Sequence, residues 1–228
     1  AVHGLLDQMA CNFMSRIVFD LDGTLIDSAP DIHLGVNMML ENQGEAALNL
    51  ETVTSFIGNG LPHLVKLVMM ARDINPDHHS NWVAAMDLHY GRANGQLTRL
   101  YPGVRQCLDQ LHSDGHSLAI CTNKPLRPAQ EILAKFGLEA FFDQIVGGDS
   151  LPSRKPDPEM LLACFTANRG LYVGDSEVDA ETADRASIPF ALFRNGYRKK
   201  PVEQLIHTYG FDYFSELPAI VTDFQAQI

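Results

Sequence analysis

The sequence predicts an α/β fold: a Rossmann-like parallel sheet core with helices on both faces, interrupted by a small all-helical cap. Three observations carry this. Arg16 to Asp27 reads RIVFDLDGTLID, a short apolar run that ends abruptly in two acids and a glycine. From Ser28 to Thr98 the apolar residues fall at helical spacing and no convincing strand appears. Beyond Tyr101, short apolar runs alternate with helical segments, and parallel strands need such crossovers.

Ile17, Val18 and Phe19 have the composition of a buried parallel strand. Asp20 and Asp22 stand at i and i+2 at its tip, so in an extended chain both point the same way, and Gly23 allows a sharp turn beyond them. Such a pair repels itself unless something positive is present. Taken alone, DxDG fits a strand-end turn as well as a catalytic pair.

Ala29 to Glu41 then carries Ile32, Val36, Met39 and Leu40 at helical spacing, with Asp27 or Ser28 as caps and Pro30 in the first turn. Leu61 to Arg72 and Asp77 to Arg92 read as two more helices, broken at Asn75-Pro76. This assigns a helical cap to 28–98 and a catalytic core to 14–27 and 99–228. Residues 1–13 lack the apolar centre of a signal peptide and are expected to be an N-terminal extension or a cloning remnant.

The core resumes with a helix over Val104 to Asp114 and a strand over Ser117 to Cys121. A helix follows over Leu126 to Phe136, then a strand over Gln144 to Val146 and a helix over Asp157 to Phe165. Leu171 to Val173 and Pro189 to Phe193 are strands around a helix over Glu177 to Ala186, and a helix–strand–helix stretch closes the chain.

At 228 residues and 46% hydrophobic content the chain can bury a sizeable core. Its 17 basic and 28 acidic residues leave no electrostatic footprint for nucleic acid, and Arg198-Lys199-Lys200 reads as a solvated loop. Nothing resembles a membrane span. Cys11, Cys107, Cys121 and Cys164 form neither a CxxC pair nor a disulfide framework, which points to a reducing cytoplasm, and Cys121 reads as a buried, inert thiol. His78, His79 and His89 are expected to be solvated or partly buried, and His63 lies near Gly58. A monomer or a homodimer fits equally.

In open parallel sheets ligands bind beyond the carboxyl ends of the strands. Here those ends carry Asp20 and Asp22, then Thr122-Asn123-Lys124, then Lys155 after a loop, then Asp175 to Asp179. Each alone is ambiguous: Thr122 could cap a helix, Lys155 could lie at the surface, and Asp175 and Asp179 could cap a first turn. Together they suit phosphoryl transfer. A carboxylate can attack phosphorus and carry the group, which is the role expected of Asp20. Asp22 is placed to protonate the leaving oxygen and then activate water. Lys155, the Thr122 hydroxyl and backbone N–H groups around Leu21, Asp22 and Asn123 could offset the moving charge. Asp20 and Asp175 make a hard oxygen site for Mg²⁺.

In order, DLDGTLIDS, TNK, KPDP and GDSEVD resemble the four motifs of the haloacid dehalogenase superfamily, and more closely its phosphoglycolate phosphatase-like branch with a helical cap. The resemblance runs from Met14 to the C-terminus. It implies Asp20 as nucleophile, Asp22 as acid and base, Thr122 and Lys155 as phosphate ligands, and Asp175 with the Asp22 main-chain carbonyl as Mg²⁺ ligands, with Asp179 as supporting acid. Gly58-Asn59-Gly60 resembles the cap loop of phosphoglycolate phosphatases, although a plain turn into a helix explains it too. Substrate-binding residues would then be Thr122, Asn123, Lys155, Gly58, Asn59 and Gly60.

The implied activity is Mg²⁺-dependent hydrolysis of a small phosphorylated metabolite, best 2-phosphoglycolate, through an aspartyl phosphate. Rivals are a β-phosphoglucomutase-like phosphotransferase, a pyrophosphatase, a 5′-nucleotidase and, from another class, a phospho-aspartate receiver domain. The cap would close over the mouth on hinges near Asp27-Ser28 and Leu100 to Gly103. Two departures from the family pattern stand out: the segment Thr166 to Gly170 is short, and Ser187 takes the place of a common glycine.

Overall fold

Ile17, Val18 and Phe19 are fully buried in β1 (Arg16–Phe19), each contributing about 1.5–3 kcal/mol through the area it removes from water. Side-chain alternation sends Ile17 and Phe19 to one face and Val18 to the other, so both faces of the sheet need a cover of helices. The protein is seen here in a computed structural model that describes residues 14–165 and 170–227. The reading of 1–13 as an extension, Cys11, and all but Gly170 of the short segment 166–170 lie outside the described residues.

After β1 the chain makes β2 (Ile26–Asp27) and enters four helices, α1 (Ala29–Asn42), α2 (Leu50–Thr54), α3 (Leu61–Ala71) and α4 (His79–Ala93). It returns through β3 (Arg99–Leu100), which pairs antiparallel with β2, so the outgoing and returning strands are laced together. The helices share their own apolar cluster, in which Val36, Met39 and Leu40 of α1 meet Val65, Val68 and Met86.

The core continues with α5 (Val104–Ser113), β4 (Ser117–Cys121), α6 (Leu126–Lys135), β5 (Phe142–Val146) and α7 (Glu159–Ala163). It ends with β6 (Gly170–Gly174), α8 (Glu177–Ala186), β7 (Phe190–Phe193), β8 (Tyr209–Phe211) and α9 (Leu217–Ala226). All six strands of the large sheet run parallel in the order β5-β4-β1-β6-β7-β8. The chain fills one side of β1 with β4 and β5 and then crosses to the other side for β6, β7 and β8. That reversal opens a crevice beside the carboxyl end of β1, with the ends of β4 and β6 on either hand.

Several expectations change. The pair β2–β3 and the five-residue α2 escape a periodicity reading because neither is long enough to show a period. The helix expected before β8 is a single 3₁₀ turn, Val202–Gln204, started by Pro201. His89 is buried, further than the solvated or partly buried imidazole expected, because it shares the α4 face of Trp82, Met86 and Tyr90 that packs on α1. Its Nε2 meets the Asn42 amide at 2.9 Å. Ser187 occupies the left-handed region at φ +56°, which costs an L-residue about 1–2 kcal/mol and explains why glycine suits this helix end.

Asp31, in the first turn of α1, is buried and ties the outgoing chain to the return. It accepts from the backbone N–H groups of Gly95 (2.6 Å), Leu97 (2.6 Å) and Thr98 (3.1 Å), and from the Thr98 hydroxyl. Replacing it by alanine strands these donors, and Asp31→Ala is expected to lower unfolding free energy by roughly 2–3 kcal/mol in a urea titration. A loss under about 0.5 kcal/mol would mean that water replaces the carboxylate.

Candidate active site

The end of β1 meets the end of β6 at a cluster of acids. Asp20, Asp175 and Asp179 are all buried and each brings a carboxylate oxygen to within 4.8 Å of the others. Each is anchored differently. Asp175 accepts from the Thr24 hydroxyl (2.8 Å) and from the Tyr197 backbone N–H (2.6 Å). Asp179 closes a capping box at the start of α8, accepting from the Ser176 hydroxyl at 2.7 Å and from the N–H groups of Asp175 and Ser176. Gly23 turns the chain at φ +89°, and a Cβ there would stand 2.6 Å from the Asp175 carboxylate, so only glycine lets the β1 loop come this close.

One cation answers the three acids. Lys155 Nζ donates to Asp20 (2.8 Å), Asp179 (2.7 Å) and the Tyr172 hydroxyl (2.8 Å), which uses all three of its donors. With one positive charge against three carboxylates, the cluster is short of positive charge by two. Burial pushes Asp20 up to about 7, with Lys155 opposing and the Asp179 carboxylate adding to the rise. Burial also raises Asp175, reinforced by the charges of Asp179 and Asp20. At Asp179 burial works the same way, but Lys155 outweighs it and holds the group below its ordinary value. At Lys155 burial opposes the charge, and Asp179 and Asp20 more than offset it. A buried, oxygen-only pocket with surplus negative charge fits a hard divalent cation: among the described residues each oxygen of Asp20 and Asp175 accepts at most one hydrogen bond and so keeps capacity to hold one, while each Asp179 oxygen already accepts two or more.

Asp22 lies apart from this cluster. Its Oδ1 accepts from the Ser28 hydroxyl at 2.6 Å and from Lys124 Nζ at 3.0 Å. Lys124 is itself buried, lies 4.7 Å from the centre of the Tyr90 ring, and hydrogen-bonds the Tyr90 hydroxyl. Burial works against the Lys124 ammonium, yet Asp22 and Tyr90 together keep it above the ordinary lysine value.

A cleft of about 60 Å³ opens between the sheet edge and the helical insert. Asp20, Asp22, Thr122, Asn123 and Lys124 line one side, and Ile32, Ile57, Leu61, Leu64, Met86 and Tyr90 the other, with Gly58 and Gly60 at the seam. Asn59 is half-buried and does not line it, and Lys155, Asp175 and Asp179 reach it through Asp20. Asn123 joins the two sides, since its amide donates to the Gly58 carbonyl (2.9 Å) and bonds both ways with the Lys155 backbone (3.0 Å each). The Thr122 hydroxyl accepts from the Lys124 N–H at 3.2 Å. Among the described residues the backbone N–H groups of Leu21, Asp22 and Asn123 make no hydrogen bond within the protein, which leaves them for an anion.

The structure thus assembles Asp20, Asp175, Asp179 and Lys155, sets Asp22 beside them, and brings Thr122, Asn123, Gly58 and Gly60 to the same cleft. Cys121 is buried, and burial holds its thiol well above the ordinary range, as an inert core residue requires. His63 is exposed and outside the lining residues. Sequence reasoning missed Thr24, Ser28, Tyr90, Lys124, Tyr172 and Tyr197. Thr24 and Lys124 lie inside motifs that were already legible. Tyr197 has no local signal: its N–H holds Asp175 while its hydroxyl donates to Asp27 (2.6 Å) and accepts from the Ala29 N–H (2.8 Å), linking the acid cluster to the base of α1.

Comparison with known proteins gives a consistent result. The profile of a family described as haloacid dehalogenase-like hydrolase matches residues 17–193. The chain is 48% identical over 213 residues to a phosphoglycolate phosphatase of Cereibacter sphaeroides strain ATCC 17025, covering 91% of this chain and 98% of that protein. It is 44% identical over 210 residues to a phosphoglycolate phosphatase of Rhodobacter capsulatus, covering 90% and 95%. Among solved structures, one described as a predicted phosphoglycolate phosphatase from Haemophilus somnus 129PT superposes with a TM-score of 0.86 at 30% identity, covering 91% of this chain and 98% of that one.

Proposed function

The chain belongs to the haloacid dehalogenase-like hydrolase family, and on that premise we propose that it is a Mg²⁺-dependent phosphomonoester hydrolase acting on 2-phosphoglycolate. The observation that carries the reading is the division of acids at the crevice: Asp20, Asp175 and Asp179 cluster, with Lys155 bridging Asp20 and Asp179, and a fourth acid, Asp22, is tethered separately by Ser28 and Lys124.

Asp20 attacks phosphorus and takes the phosphoryl group as an aspartyl phosphate, the P–O bond to the leaving group breaking as the new one forms. Lys155 holds the Asp20 carboxylate in place by its 2.8 Å bond. The free N–H groups of Leu21, Asp22 and Asn123 and the Thr122 hydroxyl receive the phosphoryl oxygens. Asp22 protonates the departing alkoxide, then takes a proton from the water that opens the acyl phosphate, returning Asp20. A Mg²⁺ ion held by Asp20, Asp175 and the Asp22 main-chain carbonyl, with Asp179 bracing, would supply neutralisation of the phosphoryl charge.

Residues 28–98 act in this scheme as the cap domain and 14–27 with 99–228 as the catalytic core. Opening at the β2–β3 crossing would admit substrate, and closing the apolar wall would exclude water. We place the enzyme in a reducing cytoplasm, in keeping with the free, buried Cys107, Cys121 and Cys164, and no helix of the described residues is long and apolar enough to cross a membrane. It would work as a monomer or a homodimer.

Phosphate release measured with Mg²⁺ on 2-phosphoglycolate, glucose 1-phosphate, pyrophosphate and 5′-nucleotides tests the reading. The expected kcat/KM on 2-phosphoglycolate exceeds the others by at least about tenfold. Weak turnover of it beside strong turnover of another substrate would move the assignment to that rival.

A further inference from the structure

We propose that Lys124 is a specificity-determining residue that reads a carboxylate on the carbon next to the leaving oxygen. The inference rests on the phosphomonoesterase reading of this cleft and names what the leaving group must carry.

The first argument is position. Lys124 Nζ stands 3.0 Å from Asp22 Oδ1, the group placed to meet the leaving oxygen. In an α-carboxylate ester one carbon separates that oxygen from the carboxyl carbon. A leaving oxygen held at Asp22 therefore brings its carboxylate beside the Lys124 ammonium, whereas a charge further along the leaving group would be carried away from it.

The second is unused capacity. An ammonium has three donors, and among the described residues Lys124 Nζ has two partners, Asp22 and the Tyr90 hydroxyl. Lys155, by contrast, has three protein partners and none to spare. Lys124 lines the cleft and Lys155 does not.

The third is the opposite wall. The side chains of Ile32, Ile57, Leu61, Leu64 and Met86 offer a carboxylate no donor, and Lys124 is the cationic side chain among the residues lining the cleft. A carboxylate enclosed against these side chains without Lys124 would lose its hydration with no opposite charge in exchange. Tyr90, from the helical insert, touches Lys124 from above, so the ammonium sits where the two sides of the cleft meet.

Two matched substrate pairs test this: 2-phosphoglycolate with its neutral amide, and 2-phospholactate with its amide. The readout is the acid-to-amide ratio of kcat/KM, in which any loss caused by a displaced Asp22 cancels. The parent should prefer the acid by about a hundredfold or more, Lys124→Met and Lys124→Gln should bring the ratio to within about fivefold of unity, and Lys124→Arg should keep most of it. Equal turnover of acid and amide by the parent overturns the proposal whether or not the variants fold, and so does a preference that survives in Lys124→Met. A Lys124-dependent preference seen only in the lactate pair, with both glycolate compounds poor, supports the proposal and refutes 2-phosphoglycolate as the substrate.

Discussion

Asp20→Asn is expected to abolish turnover, with kcat reduced on the order of 10⁵-fold or more, because the amide cannot form the acyl phosphate. The substitution changes neither size nor the β1 strand, so the loss should appear in a folded protein. Stability separates this from simple disruption. Burial raises the Asp20 carboxyl from 3.8 to about 7, so the folded state binds a proton that the unfolded state has released across that interval. Stability of the metal-free parent should accordingly fall as pH rises from about 4 towards 7, since a raised carboxyl favours the folded state only while protonated. Asparagine has no such proton. Metal-free Asp20→Asn should show a flatter stability profile over the same interval, with denaturant midpoints at several pH values as the measurement. Parallel profiles for the two proteins would show that Asp20 is not the group under strain.

Lys155→Met should damage both stability and rate. Its ammonium is bound by Asp20, Asp179 and Tyr172, and removing it leaves three buried carboxylates with no cation among them. Breaking a buried ion pair from one side costs about 3–5 kcal/mol, since the partner charge is stranded. In the fold the effect should show in a lower denaturant midpoint for the metal-free protein at pH 8, and partial recovery when a divalent cation is added. In catalysis, loss of the group that holds the nucleophile should lower kcat by about 10²–10³-fold. An unchanged midpoint would mean that the acids already share protons and that Lys155 is not needed to keep them buried.

Most of the core was legible because its signals are local. Ser117–Cys121 and Glu177–Ala186 stand where the run of apolar residues and the helical spacing put them. The acid pair could be assigned to a strand tip because alternation and a glycine turn are properties of neighbouring residues. The elements that went unread are short. Ile26–Asp27 and Arg99–Leu100 are two residues each, and they become strands only because they pair with each other across the length of the helical insert. His89 became a core residue through the face it shares with Met86, although its chemistry alone suggested a solvated or partly buried place.

The same boundary runs through the site. By itself the sequence determined which chemical groups this protein has and in what order they fall at strand ends: Asp20 and Asp22, Thr122, Lys155, then Asp175 and Asp179. Residue type and strand polarity are enough for that. Only the tertiary structure decided how they divide the work. The placement of β4 and β6 on either side of β1 put Lys155 among Asp20 and Asp179, left Asp22 to Ser28 and Lys124, and brought Tyr197 under Asp175. Two of those partnerships, Asp20–Lys155 and Asp22–Lys124, join residues more than 100 positions apart, and no local pattern encodes them. They follow from the sheet order, which is set by burying two apolar faces at once.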